Sequence, residues 1–171
     1  MALRNILYQD EPTLSKKCRE VTKFNSRLHQ LLDDMAETLS HADGVGLAAP
    51  QVGVLRRVAL VLETNVPEGE APVLIELINP VILEETGEQH EAEGCLSVPG
   101  EYGIVRRPAA VTVRAQDRFG EFFEVSGTGL TARCFCHEID HLDGIVFTQK
   151  CERMLTDEEL QAMQEKENTE E

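Results

Sequence analysis

Two hydrophobic rhythms run along the chain. Leu28, Leu31, Leu32, Met35, Ala36 and Leu39 recur at i, i+3, i+4 and i+7, the stripe of an amphipathic helix from Asn25 to about Ala42. Asn25 or Ser26 is placed to cap it, and Asp43-Gly44 to stop it. The pattern then changes. Val58, Ala59, Leu60, Val61 and Leu62 form a continuous apolar run within 57–63, which predicts a buried strand. After a polar loop with Pro67, Gly69 and Pro72, Val73 to Asn79 predicts a second strand, stopped by Pro80. Val81 to Glu85 predicts a third, turned by Thr86-Gly87. Ile104-Val105 predicts only a short strand. Val111, Val113 and Ala115 alternate with Thr112 and Arg114, as on a half-buried strand. Asp117 to Gly120 predicts a hairpin turn, with Phe122 to Val125 returning. Leu130, Cys134, His137 and His141 share one helical stripe, ended by Asp143-Gly144. Ile145 to Phe147 predicts one more strand, and Thr156-Asp157-Glu158-Glu159 a capping box opening a last helix.

This order of helix, several antiparallel strands and late helix predicts an α+β fold rather than alternating βαβ units. Antiparallel sheets are expected to pack around a central helix at 137–141, with further helices near each end. No internal repeat is visible, and 171 residues predict one domain spanning 1–171. Residues 1–24, with the turn signal Asp10-Glu11-Pro12, predict a surface arm over the core.

The chemistry concentrates in His137-Glu138-Ile139-Asp140-His141, an HExxH box. On a helix, positions i and i+4 lie one turn apart on one face. His137 and His141 can therefore offer two imidazole nitrogens to one ion, with Glu138 close enough to handle a proton from water that the ion activates. A catalytic metal needs a third protein ligand and an open position. Cys95, Cys134, Cys136, His90, Glu93 and Asp140 are the candidates. Cys136 and Asp140 point away from the ligand face. Cys134 shares that face but lies about 10 Å along the axis from His141 at 1.5 Å per residue. Cys95 is preferred, because the preceding Gly94 lets its backbone approach closely. Glu93 and Asp140 are candidate acceptors for imidazole N–H groups, with Arg107 able to neutralise one of them.

A second unusual stretch is Gly44-Val45-Gly46-Leu47-Ala48-Ala49-Pro50-Gln51. It is too apolar for a flexible linker. Its alternate glycines allow unusual φ or a close backbone approach. It is not a phosphate loop, since no Lys-Ser/Thr follows.

Composition narrows the setting. Apolar residues are 42% and charged residues 27% of the chain, as in a globular domain. No apolar run approaches the roughly 18 residues of a membrane span, and no signal-peptide pattern opens the chain, so a cytoplasmic protein without membrane contact is expected. Five cysteines, an odd number, do not suggest a disulfide framework. The formal net charge of -15 argues against direct binding of nucleic acid. Residues 152–171 hold eight acidic and two basic side chains, and disorder is expected from about 166. A monomer is the default.

Together GVGLAAPQ (44–51), EGCLS (93–97) and HEIDH (137–141) closely resemble the three signatures of the peptide deformylase family. The resemblance implies a metal-dependent hydrolase that removes the formyl group from N-formylmethionine of nascent polypeptides. It implies Cys95, His137 and His141 as ligands of one divalent ion, Fe(2+) in most such enzymes, with Zn(2+), Ni(2+) or Co(2+) also suited to the set. It implies Glu138 as general acid/base, and Gln51 with the backbone N–H of Leu96 as oxyanion donors. The family's methionine pocket maps to Val45, Leu130, Cys134 and the stem of Arg133, and Gly46 borders the path of the bound peptide. The chain departs from common family residues at Cys136, often Gln, and at Tyr102, often Arg. Its acidic tail differs from the basic C-terminal helix with which some members contact the ribosome. Two other readings share the HExxH box: a zincin-like peptidase, and a binding protein with a structural metal.

Overall fold

The computed structural model describes residues 2–170. Among these residues, eight strands form two antiparallel sheets. The larger holds β1 (Gly46–Ala48), β2 (Val58–Glu63), β3 (Val73–Thr86), β6 (Ala110–Gln116) and β7 (Phe122–Thr128), in the order β1-β2-β3-β6-β7. The smaller holds β4 (Gln89–Cys95), β5 (Val98–Arg107) and β8 (Arg153–Met154). Three α-helices accompany them: α1 (Ser26–Ala42), α2 (Gly129–Leu142) and α3 (Asp157–Glu170). The α+β fold expected from the chain order is present.

The burial pattern explains the layering. Val58 and Leu60 of β2 join Leu28, Leu31, Leu32, Met35 and Leu39 of α1 in one apolar cluster. Ala59 and Val61, on the opposite face, join Ala132, Phe135, Ile139 and Leu142 of α2 in another. Alternate residues of a strand point to opposite faces. β2 reads as an unbroken apolar run because both of its faces are covered. α2 also contacts β5 of the smaller sheet. It is therefore enclosed on nearly all sides, and Thr131 to Ile139 are buried without interruption. A helix in such a position has no solvated face to carry charge.

Local signals set the helix ends. Asn25 caps α1, its Oδ1 accepting from Leu28 N at 3.2 Å. Thr156 and Glu159 close the expected capping box at α3: Glu159 N donates to Thr156 Oγ1 at 3.2 Å, and Thr156 N to Glu159 Oε1 at 3.1 Å. Gly144 ends α2 at φ 78, where an added Cβ would lie 2.6 Å from Ser15 O. Glycine alone lets the arm pass so close to this turn.

Four expectations differ from the structure. The strands predicted on either side of Pro80 are one strand, β3. Asn79 takes a left-handed φ of 51, and the register with β6 shifts between Ile78 and Val81. Pro80 thus falls at a bulge, where its missing N–H breaks no ladder bond. The short strand at Ile104-Val105 belongs to the ten-residue β5. Pro99, Gly100 and Gly103 hid its length. The strand predicted at Ile145 to Phe147 is a short extended link into a 3₁₀ helix, Phe147–Gln149, whose Gln149 Oε1 accepts from Val146 N at 3.2 Å. The tail expected to be disordered from about 166 is helical through Glu170, continuing from the capped start of α3. Glu171, the end of that tail, lies outside the described residues.

The bulge rests on one side chain. Asn79 Oδ1 accepts from Val21 N at 2.8 Å, and its Nδ2 donates to Val21 O and to Gln116 Oε1, both at 2.9 Å. Asn79→Ala should cost about 2–4 kcal/mol, from a strained φ and unpaired buried groups. Urea denaturation should show a lower midpoint with an unchanged slope.

Candidate metal centre and substrate cleft

His137 and His141 stand one turn apart on α2, with their Nε2 atoms 3.1 Å from each other. Cys95, at the end of β4, brings its Sγ to 3.3 Å from His141 Nε2. The tight return into β5 pairs Cys95 with Val98 after a register shift following Glu93. All three donor atoms lie within 4.8 Å of one another. Bonds of about 2.0–2.1 Å to nitrogen and about 2.3 Å to sulfur, at tetrahedral angles, separate such donors by roughly 3.3–3.6 Å. The His137–His141 and Cys95–His141 separations are only slightly tighter. Lone pairs facing one another at this range repel unless a proton or cation sits among them. The donor set therefore fits a divalent transition metal.

The surroundings orient these donors. His137 Nδ1 lies 2.6 Å from Glu93 Oε2, which directs its other nitrogen into the cluster. Arg107 binds the same carboxylate through Nε at 3.1 Å and Nη2 at 2.7 Å, and Arg133 Nη1 adds a bond of 2.9 Å. Arg107 also reaches Asp140 Oδ2 at 2.6 Å, and Lys150 meets Asp140 Oδ1 at 3.1 Å. Burial pushes the Glu93 carboxyl upward, but the bonds from His137 and Arg107 prevail and hold it at about 2. Burial also lowers His137, but the bonds to Cys95 and Glu93 outweigh it and raise the ring well above its ordinary value. Burial and the neighbouring His137 keep His141 well below it. His141 Nδ1 is buried without a partner among the described residues.

Glu138 lies beside the donors, with Oε1 at 3.9 Å from His137 Nε2. Its Oε2 is buried and unpartnered among the described residues. Burial pushes its carboxyl up to about 7. It rests directly on Gly46, where an added Cβ would come within 2.6 Å of Oε1. The sequence left two meanings open for these glycines, unusual φ or close approach. At Gly46 the reason is close approach.

Gln51 sits on the 3₁₀ turn Ala49–Val52 that follows β1. Its Oε1 accepts from Ala48 N at 2.9 Å, and its Nε2 donates to Ser97 Oγ at 3.0 Å and to Cys95 Sγ at 3.4 Å. The first two bonds fix which end of the amide faces the sulfur. Ser97, not singled out from the sequence, is thus the residue that aims Gln51; its place two positions after Cys95 in EGCLS was the available signal. The arm straps both: Leu7 N donates to Gln51 O at 2.7 Å, and Gln9 N to Ser97 O at 3.0 Å.

A cleft of about 580 Å³ opens on this cluster. Val45, Gly46, Leu96, Leu130, Arg133 and Cys134 line it together with Gln51, Cys95, His137 and Glu138. Burial pushes the Cys134 thiol up to about 12, so it lines the cleft as a neutral group. The Arg133 guanidinium turns inward to Glu93, Val105 O and Gln89 Oε1, leaving its stem toward the cleft. β1 is the edge strand of the larger sheet. Tyr102 also lines the cleft. Cys136 is buried in the core and is not part of the cleft lining.

Comparison with known proteins agrees with this architecture. Residues 3–157 match the model of the polypeptide deformylase family. A peptide deformylase of Alkaliphilus metalliredigens is 57% identical over 150 residues, which cover 88% of this chain and 97% of that protein. One from Caldicellulosiruptor bescii is 50% identical over 161 residues, covering 94% and 93%. A crystal structure of a peptide deformylase from Legionella pneumophila superposes with a TM-score of 0.80 at 39% identity, covering 98% of each chain. Sequence, fold and clustered metal donors lead to one conclusion: this chain belongs to the polypeptide deformylase family.

Proposed function

We propose that this deformylase releases formate from the N-formylmethionyl ends of nascent polypeptides, with one divalent cation held by Cys95, His137 and His141. The observation that carries the reading is the convergence of those three donors beside the unpartnered carboxylate of Glu138. When bound, the cation supplies Lewis-acid activation of water, which a metal can bring toward a pKa of about 7.

The chain's own residues supply the rest. Glu138, with its carboxyl near 7, is suited to take a proton from the attacking water and return it to the departing amine. Gln51 Nε2 and the N–H of Leu96 donate to the formyl oxygen as it turns negative. Ser97 keeps the Gln51 amide aimed. The methionine side chain enters between Val45, Leu130, Cys134 and the stem of Arg133. An unbranched thioether suits such an apolar slot. The open edge of β1 at Gly46 receives the peptide backbone like an added strand.

Fe(2+) is the metal we assign in the cell, with Zn(2+), Ni(2+) and Co(2+) compatible with the same donors. The thiolate of Cys95 donates more charge than a third imidazole would, which leaves more of the proton handling to Glu138. The whole chain acts as one catalytic domain, a monomer of the cytoplasm. No helix among the described residues is long and apolar enough to cross a membrane. α3 carries Asp157, Glu158 and Glu159 in its first turn and no basic residue in its last. Ribosome contact through a basic C-terminal helix is therefore not assigned.

Purified protein loaded anaerobically with Fe(2+), Ni(2+) or Co(2+) should release formate from a formyl-Met peptide and leave unformylated peptides intact. Peptide-bond cleavage without formate release would favour the peptidase reading. Glu138→Ala should retain about one metal per chain while losing several orders of magnitude in kcat/KM; loss of the metal too would remove its assigned role. Gly46→Ala should lower activity at unchanged metal content, because the new methyl displaces the Glu138 carboxylate. Wild-type turnover from that variant would show that the contact is unimportant. Gln51→Ala should cost about 10²–10³ in rate, measured by the same formate assay.

A further inference from the structure

The sixteen cationic side chains are not evenly spread. Five of them, Arg4, Arg19, Lys23, Arg27 and Arg56, line one groove of about 740 Å³ at the N-terminal end of α1. Glu20 is the single acid in its lining. Its floor is apolar, made by the buried Val21, Leu28 and Leu31. Arg4 is engaged by Asp34 at 2.9 Å. Arg19, Lys23, Arg27 and Arg56 form no ion pair among the described residues.

This arrangement works against the fold. Arg19 and Arg56 face each other across a backbone bridge, where like charges repel. Arg27 stands in the first turn of α1, which holds no acid, so a cation meets the positive end of the helix dipole. The chain has 31 acidic residues, and none of the described ones pairs with these four cations. An anion from outside would offset both penalties.

We infer that this groove binds the phosphodiester backbone of RNA. The net charge of -15 opposes nucleic acid over the molecule as a whole, but charges are screened beyond about 8 Å at physiological ionic strength. A backbone seated in the groove meets the local cations, which come from the arm, from α1 and from the turn before β2. No aromatic ring lines the groove, so bases have nothing to stack on. Contact is with phosphates and independent of sequence.

The location suits the reaction. The groove reaches Leu28 and Leu31 at one end of α1, and the cleft begins at Asp43 beyond the other. At 1.5 Å per residue the two are roughly 20 Å apart. About six extended residues span that distance at ~3.3 Å each. The choice of RNA over other polyanions rests on the deformylase reading, in which the substrate is a newly made chain still beside the RNA that produced it.

Titrating a fluorescein-labelled RNA duplex of about 20 base pairs with the full chain, read by anisotropy, tests the inference. Binding should weaken about 10²-fold between 50 and 200 mM KCl if about four phosphates are contacted. Arg19→Glu combined with Lys23→Glu should weaken binding at least about tenfold, while formate release from a short formyl-Met peptide stays unchanged. Arg27→Glu should weaken RNA binding and raise Tm, since an acid in the first turn complements the dipole. A merely structural arginine would not move affinity and stability in opposite directions. Absence of binding at 50 mM KCl, or affinity untouched by these reversals, overturns the inference. So does a salt-sensitive doubling of mass, which would mean that the groove takes the acidic α3 of a second copy. Formate release that fails while RNA binding persists would remove the deformylase reading and leave the groove; the converse would remove the groove alone.

Discussion

A buried carboxylate, Glu93, ties the smaller sheet to the central helix at the candidate site. It receives His137 and Arg133 from α2 and Arg107 from β5. Three cationic or protonated groups around one carboxylate compensate for the loss of water, which is what makes such burial tolerable. Because Cys95 lies two residues further along β4, the same interaction that docks the strand on the helix also sets the height of the sulfur beside the two rings. The donor geometry is thus a consequence of a salt-bridged junction and not of the HExxH box alone.

That junction requires the helix to be central. α2 lies between the two sheets, so its apolar residues face the larger sheet and most of its polar residues are buried against protein or the cleft. Every buried polar group on it then needs a designated partner. Asp140 has Arg107 and Lys150, and Arg133 has Glu93 and Val105 O. Glu138 Oε2 and His141 Nδ1 are exceptions among the described residues. Both of these lie at the candidate metal centre.

Rigidity comes from the arm as much as from the core. Leu14 is buried with Val98, Val105 and Phe147, and the backbone of Leu7 and Gln9 holds Gln51 and Ser97 in place. The Gln51 side of the cleft is therefore braced by the backbone of the arm.

Much of this was legible in the chain. The period of Leu28 to Leu39 located α1, the apolar run of β2 announced a doubly covered strand, and the spacing of His137 and His141 placed two nitrogens on one face. These are local properties, fixed by 3.6- and 2-residue repeats. Other features depended on contacts distant in sequence. Pro80 looked like a strand end because only the bulge at Asn79, anchored by Val21, lets the ladder pass it. The length of β5 was hidden by its glycines: Gly100 takes a left-handed φ of 76, and Gly103 lies under Cys151 and Met154. EGCLS drew attention to the neighbourhood of Ser97, but its contact with Gln51, 46 positions away, is made only by the fold. Net charge concealed a local cationic groove, because a sum over residues carries no positions. Sequence determined the elements and the reactive residue types; tertiary packing decided which of them meet, because long-range contacts are made by three-dimensional proximity that no local period encodes.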